Sequence, residues 1–202
     1  MQNFGRFLEL NFLLDRVSSP GAYANQEANN TLFTSELVFR SNKDKYVVKL
    51  DFELQRDNFE ENGGLSNIDL FENATYDNER TYGVNLSQSE RTFKANKYGL
   101  SQQLNIVDFD SDSVINSSLY LNHSFEISNE QRVFYDNDPL STIFQDIYID
   151  SVGVIDSVYR DMLENRFGIG IKSELFDAMI FGEHAIESYE QSFGIDTSFS
   201  NS

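Results

Sequence analysis

Between Tyr46 and Gln55 the chain alternates without a break. Tyr46, Val48, Leu50, Phe52 and Leu54 fill one set of positions; Val47, Lys49, Asp51, Glu53 and Gln55 fill the other. A period of two puts successive side chains on opposite faces of a strand, one apolar and one polar. Just upstream, Phe33, Leu37 and Phe39 share one row, and Thr34, Glu36 and Arg40 share the other. The polar link 41–45 joins the two runs into a hairpin over 31–55. With Phe39 opposite Tyr46, Leu37 meets Val48, Phe33 meets Phe52, and Glu36 faces Lys49 as a complementary charge. Both strands thus offer apolar side chains to one environment and charges to another. What meets the apolar side, a protein core or lipid, decides what the chain does.

The same alternation recurs. Leu8, Leu10, Phe12 and Leu14 form a row in a first strand over 4–14. Tyr98, Leu100, Leu104 and Ile106 form another; Leu119, Leu121, Phe125 and Ile127 a third; Leu163, Phe167, Ile169 and Ile171 a fourth. A final strand over 178–189 has poor phase. The fold class is all-β, an antiparallel meander of long strands. Links of about five residues alternate with connections of about 25–30, the long loops falling at 57–82 and 128–159. Transmembrane barrels carry short turns at one end and long loops at the other. The predicted strands run to roughly 9–13 residues, enough to cross a bilayer when tilted. The chain reads as one segment over 1–202, with a flexible tail at 196–202.

Composition narrows the classes. With a net charge of −18 at pH 7 the chain has no basic surface for nucleic acid. It would instead attract cations. With no Cys, disulfides and thiolate metal sites are excluded. No apolar run approaches the length of a membrane-spanning helix. Glu9, Asn11 and Asp15 interrupt the opening apolar run, which does not read as a secretory signal.

Little points to catalysis or a cofactor. His123 falls on the apolar row of Leu119, Leu121 and Phe125, the setting of a packed or interface residue. No Ser sits in a nucleophile elbow, and there is no phosphate-binding glycine loop. Asp108, Asp110 and Asp112 look like the opening of a calcium loop. Its sixth and twelfth positions would need Gly and Glu, and hold Ser113 and Leu119. A solvated acidic turn is the better reading.

Four segments carry a resemblance: PGAYANQEANN (20–30), NFEENGG (58–64), LYLNHSFEISNEQRVFYDNDP (119–139) and DSVYRDMLENRFGIGI (156–171). Together they resemble the putative outer-membrane porins of Bacteroidetes-type bacteria, over most of the chain. The resemblance implies an antiparallel β-barrel in the bacterial outer membrane that passes small solutes passively, with no enzymatic activity. Members of that family are longer, so the chain corresponds to an internal portion whose barrel is completed by further strands or partner subunits. On this reading Glu36, Arg40, Lys49, Asp51, Glu53, Glu126, Glu164, Arg166, Lys172 and Glu174 face the lumen. Phe33, Leu37, Phe39, Val48, Leu50, Phe52, Leu119, Leu121, Phe125, Phe167, Ile169 and Ile171 face membrane lipid. With Glu9, the polar rows hold seven acids against four bases, which favours cations. The alternatives are a soluble all-β envelope module that binds carbohydrate or protein, its apolar rows packed between two sheets, and a barrel component of a transport or secretion complex.

Overall fold

Every alternating segment becomes a strand of one antiparallel sheet. The computed structural model describes residues 2–3, 7–109, 117–137, 154–173, 175–193 and 199–201. Within them the strands are β1 (Gln2–Asn3), β2 (Leu8–Ser19), β3 (Ala28–Arg40), β4 (Tyr46–Glu61), β5 (Ser89–Phe109), β6 (Ser117–Asp136), β7 (Val154–Ser173), β8 (Asp177–Phe193) and β9 (Phe199–Asn201). They pair in chain order, each with the next, as an uninterrupted meander. Among the described residues β1 and β9 lie at opposite edges and do not pair with each other. The only helix of α type among those residues is α1 (Ile68–Glu72), capped by the Asn67 side chain, which accepts from the Leu70 amide at 3.2 Å.

The strands are longer than the alternation of apolar residues suggested: β5 has 21 residues, β6 and β7 have 20 each. A ladder is held by backbone hydrogen bonds and continues wherever a partner continues, whatever the side chains. Residues 57–61, expected in a loop, therefore pair with 89–93. The long connections shrink to 62–88 and 137–153, the second lying almost wholly outside the described residues. The strand ends joined by 41–45, 110–116 and 174–176 lie at one end of the sheet; those joined by 20–27, 62–88 and 137–153 lie at the other. Within 196–202, Phe199–Asn201 pair with Tyr189–Gln191.

The hairpin register differs from expectation by two residues. Phe39 faces Val48, Leu37 faces Leu50, Phe33 faces Leu54, and Glu36 faces Asp51 rather than Lys49. The cause is the turn. Residues 42–44 form a 3-10 turn in which Lys43 and Asp44 take left-handed φ of 58° and 51°. The ladder closes at the Ser41 amide, which donates to the Tyr46 carbonyl at 2.8 Å. A four-residue turn replaces the two-residue turn that the expected register requires. A shift of two leaves every side chain on its expected face.

The faces do not bury themselves as those of a globular sheet would. Along β7 the apolar row is open, with Phe167 56%, Ile169 45% and Ile171 45% exposed. Glu164 and Arg166 on the opposite side are half-buried, and Gly168 and Gly170 are buried. No second layer covers the apolar row among the described residues: the sheet is single, not one half of a sandwich. The buried hydrophobics there are few: Val38, Tyr82, Leu86 and Tyr120.

The connection 62–88 has a small core of its own. Tyr82 packs edge-on against Phe71 and Tyr76, with ring centroids 5.5 and 5.2 Å away, and Tyr23 from the link 20–27 meets Phe71 at 6.3 Å. The Asn25 amide donates to the Glu61, Leu86 and Ser89 carbonyls at 2.8, 2.9 and 3.2 Å. Arg80 donates to the Pro20 carbonyl at 2.7 Å. Gly63 and Gly64, with φ of 61° and 85°, make the turn that starts the connection.

Candidate functional site

Transverse rows of the sheet follow from the register. One row on the polar face runs Asn11, Glu36, Asp51, Gly99, Glu126, Glu164. The next runs Glu9, Val38, Lys49, Ser101, Ser124, Arg166, Glu183, and the one on the other side runs Thr34, Glu53, Lys97, Ser128, Met162, Glu187. A hollow of about 620 Å³ lies over these rows and is lined from β2, β3, β4, β5, β6 and β7. A flat sheet has no such hollow, so the sheet curls around its polar face. Small residues permit the curl. A side chain at Gly99 would strike the Asp51 carboxylate, and one at Gly170 would strike the Tyr120 ring. Tyr120 lies over Gly170 and donates to Asp177 at 2.7 Å.

The charges in the hollow are paired but not balanced. Lys49 bridges Glu36 and Asp51 at 2.8 Å each, which is how two carboxylates can stand opposite one another. Asn11 donates to Glu9 at 2.9 Å and to Glu36 at 3.1 Å. Lys97 meets Glu126 at 3.0 Å. Arg166 meets Glu164 at 3.4 Å and Glu183 at 2.5 Å, with its guanidinium 4.9 Å above the Phe181 ring. Five carboxylates line the hollow against three cations. Glu9, Glu183 and Glu187 add negative charge on the flanking positions of the same rows. The hollow is a belt of carboxylates, each within reach of water, with cations held between them.

Of the ten residues expected on this side, nine are described and all nine lie on the polar face. Glu36, Lys49, Asp51, Glu53, Glu126, Glu164 and Arg166 meet around the hollow. Arg40 and Lys172 share the face but sit toward the short-link end, and Glu174 lies outside the described residues. The twelve apolar residues from Phe33 to Ile171 all share the opposite face. His123 lies there too. Its Nε2 pairs with Asn165 Oδ1 at 2.9 Å, and its Nδ1 is 3.4 Å from Gln102 Nε2, so these polar groups satisfy one another within the apolar row. Asp110 and Asp112 lie outside the described residues, and no group of three metal-ligating side chains occurs among those described.

Sequence reasoning missed Lys97, Glu183 and Glu187. Lys97 precedes the expected start of its strand at Tyr98, although it continues the polar row of Gly99 and Ser101. Glu183 and Glu187 lie in β8, whose outer row Ile180, Gly182, His184, Ile186 is interrupted by Gly and His and so reads as poor phase.

Comparison with known proteins agrees with the sheet. A family model described as putative porin matches residues 1–200. No curated protein and no solved structure matches the chain. The chain belongs to the putative porin family.

Proposed function

We propose that this chain forms the wall of an outer-membrane channel through which small solutes diffuse passively, with a preference for cations. The apolar rows face lipid and the polar rows face a water-filled lumen. The observation that carries this reading is the inverted exposure of the sheet: its apolar side is open and its charged side is the sheltered, concave one. In a soluble protein that arrangement leaves a large apolar surface in water. In a bilayer it is the stable one. The apolar row from Tyr46 to Leu54 spans nine residues, close to the roughly 9–11 needed by a tilted spanning strand.

The excess of carboxylates in the hollow supports the cation preference, since charged rings set ion selectivity in pores. Lipid does not tolerate open sheet edges. The proposed channel therefore includes closure of the edges at β1 and β9 by further strands or by neighbouring subunits.

The test is reconstitution of the full chain into planar bilayers, with the reversal potential read across a KCl gradient. We expect cation selectivity, reduced when Glu36→Gln, Asp51→Asn and Glu164→Gln are combined. Anion selectivity, or recovery of the protein wholly soluble without detergent, would overturn the reading.

A further inference from the structure

We propose that Arg16, Arg56 and Lys94 form a binding patch for the phosphates of anionic lipid headgroups on the lipid-facing surface. The inference rests on the membrane reading above. The three residues lie in one transverse row, Arg16–Thr31–Arg56–Lys94, on β2, β3, β4 and β5. They are on the apolar side of the sheet, not the lumen side. The row lies one step beyond the last apolar one, Leu14–Phe33–Leu54, toward the end that carries the longer links. The site therefore begins where the apolar band stops.

Their charge is not neutralised by the protein. Among the described residues none of the three has a carboxylate within ion-pair distance, whereas Lys49, Lys97, Arg160 and Arg166 on the lumen side each have one. Arg56 is held in place by neutral acceptors: its guanidinium donates to the Gln55 and Ala95 carbonyls at 2.6 and 2.9 Å and to Asn96 Oδ1 at 2.7 Å. These bonds orient the group and leave its positive charge intact. Arg16 and Lys94 are exposed. In this row the first acid is Glu190, on β8, three strands beyond Lys94. Glu60 and Glu90, opposite each other, lie two rows farther from the apolar band.

Three uncompensated cations on one outward patch stand out in a chain of net charge −18. Neighbouring strands are about 4.8 Å apart, so Arg56 and Lys94 can share one phosphate, with Arg16 about 10 Å away for a second. Just inside the patch, Phe33, Phe52 and Tyr98 form a run of rings with centroids 6.0 and 5.1 Å apart. Aromatic side chains of this kind sit at headgroup level in membrane proteins. An occupant that meets all of this has an anionic head on an apolar tail.

The full chain is reconstituted into vesicles of phosphatidylcholine alone and into equimolar phosphatidylcholine and phosphatidylglycerol. It is then extracted gently, and the retained lipid is quantified by native mass spectrometry. Each cation near an anionic surface contributes about a fivefold preference. We expect phosphatidylglycerol to be enriched well above its share of the bilayer. The R16Q/R56Q/K94Q variant should return to the bulk ratio, and R16K/R56K/K94R, which keeps the charge, should retain the enrichment. The lumen-side K49Q/K97Q/R166Q variant should also retain it. Insertion of the native chain without enrichment, or loss of enrichment in the lumen-side or charge-conserving variant, sinks the lipid site and leaves the channel reading standing. Failure to enter phosphatidylcholine vesicles overturns the channel reading, and the lipid site falls with it.

Discussion

Gly99 stands directly opposite Asp51, and the space its side chain would fill holds the Asp51 carboxylate. A Cβ there would push the carboxylate off Lys49, which it meets at 2.8 Å. Gly99→Val should lower stability by about 1–3 kcal/mol, as overpacking commonly does. Gly182 provides the comparison, because a Cβ there would have nothing within 4 Å. Gly182→Ala should shift stability by no more than about 0.5 kcal/mol. Denaturant unfolding in detergent reads both; equal losses would mean that Gly99 is not making room for Asp51.

Lys49 sits between two carboxylates that face each other. Its replacement by Gln leaves Glu36 and Asp51 uncompensated. In planar bilayers K49Q should be more cation-selective than the native chain, and E53Q less so. Because these side chains are part-exposed, the stability cost of K49Q should stay near about 1 kcal/mol or below. A reversal potential unmoved by either change would place the selective charges elsewhere.

Depth in the apolar band sets the penalty for an outward charge. Leu50 lies mid-band, whereas Leu14 lies in the last row before the basic patch. Leu50→Arg should cost about 2–4 kcal/mol in folding into vesicles, and Leu14→Arg about 0–1 kcal/mol. The same cost at both sites would argue that this face does not meet lipid.

Tyr82 holds the connection 62–88 together. Its hydroxyl donates to the Tyr76 carbonyl at 3.1 Å and accepts from the Tyr76 amide at 3.2 Å, while its ring meets Phe71. Tyr82→Ala should open this segment, with new proteolytic cuts inside 62–88 and none in the strands. Protection equal to that of the native chain would show that Asn25 and Arg80 alone suffice.

Much of this architecture can be read in the residues themselves. Alternation in 46–55 and 163–171 identifies both the strands and their faces, because the period of a strand is a local property. Strand ends are less legible: at Arg56–Glu61 the apolar row stops while the backbone ladder goes on. The register of the first hairpin hung on two left-handed residues, Lys43 and Asp44, whose types do not announce that conformation as Gly would. The hollow was legible as a list of charges. Its shape was not, since pairing alone sets Gly99 opposite Asp51 and Gly170 opposite Tyr120 on other strands. The basic patch was hidden for the same reason: Arg16, Arg56 and Lys94 are far apart in sequence and fall in one row only through pairing.

The turn at 42–45 also bears on how such a wall can vary. Lengthening a hairpin link slides one strand past the next, and parity decides the result. An even slip trades one apolar neighbour for another and preserves the inner and outer surfaces. An odd slip exchanges them, sending charges to the apolar face. Nature's allowance here is discrete: pairs of residues can come and go in the links with the polar face intact, whereas a single insertion demands a second, compensating one. β5 shows a shift of one residue: its register changes between Asn105 and Val107, and Val107 comes to face Leu119.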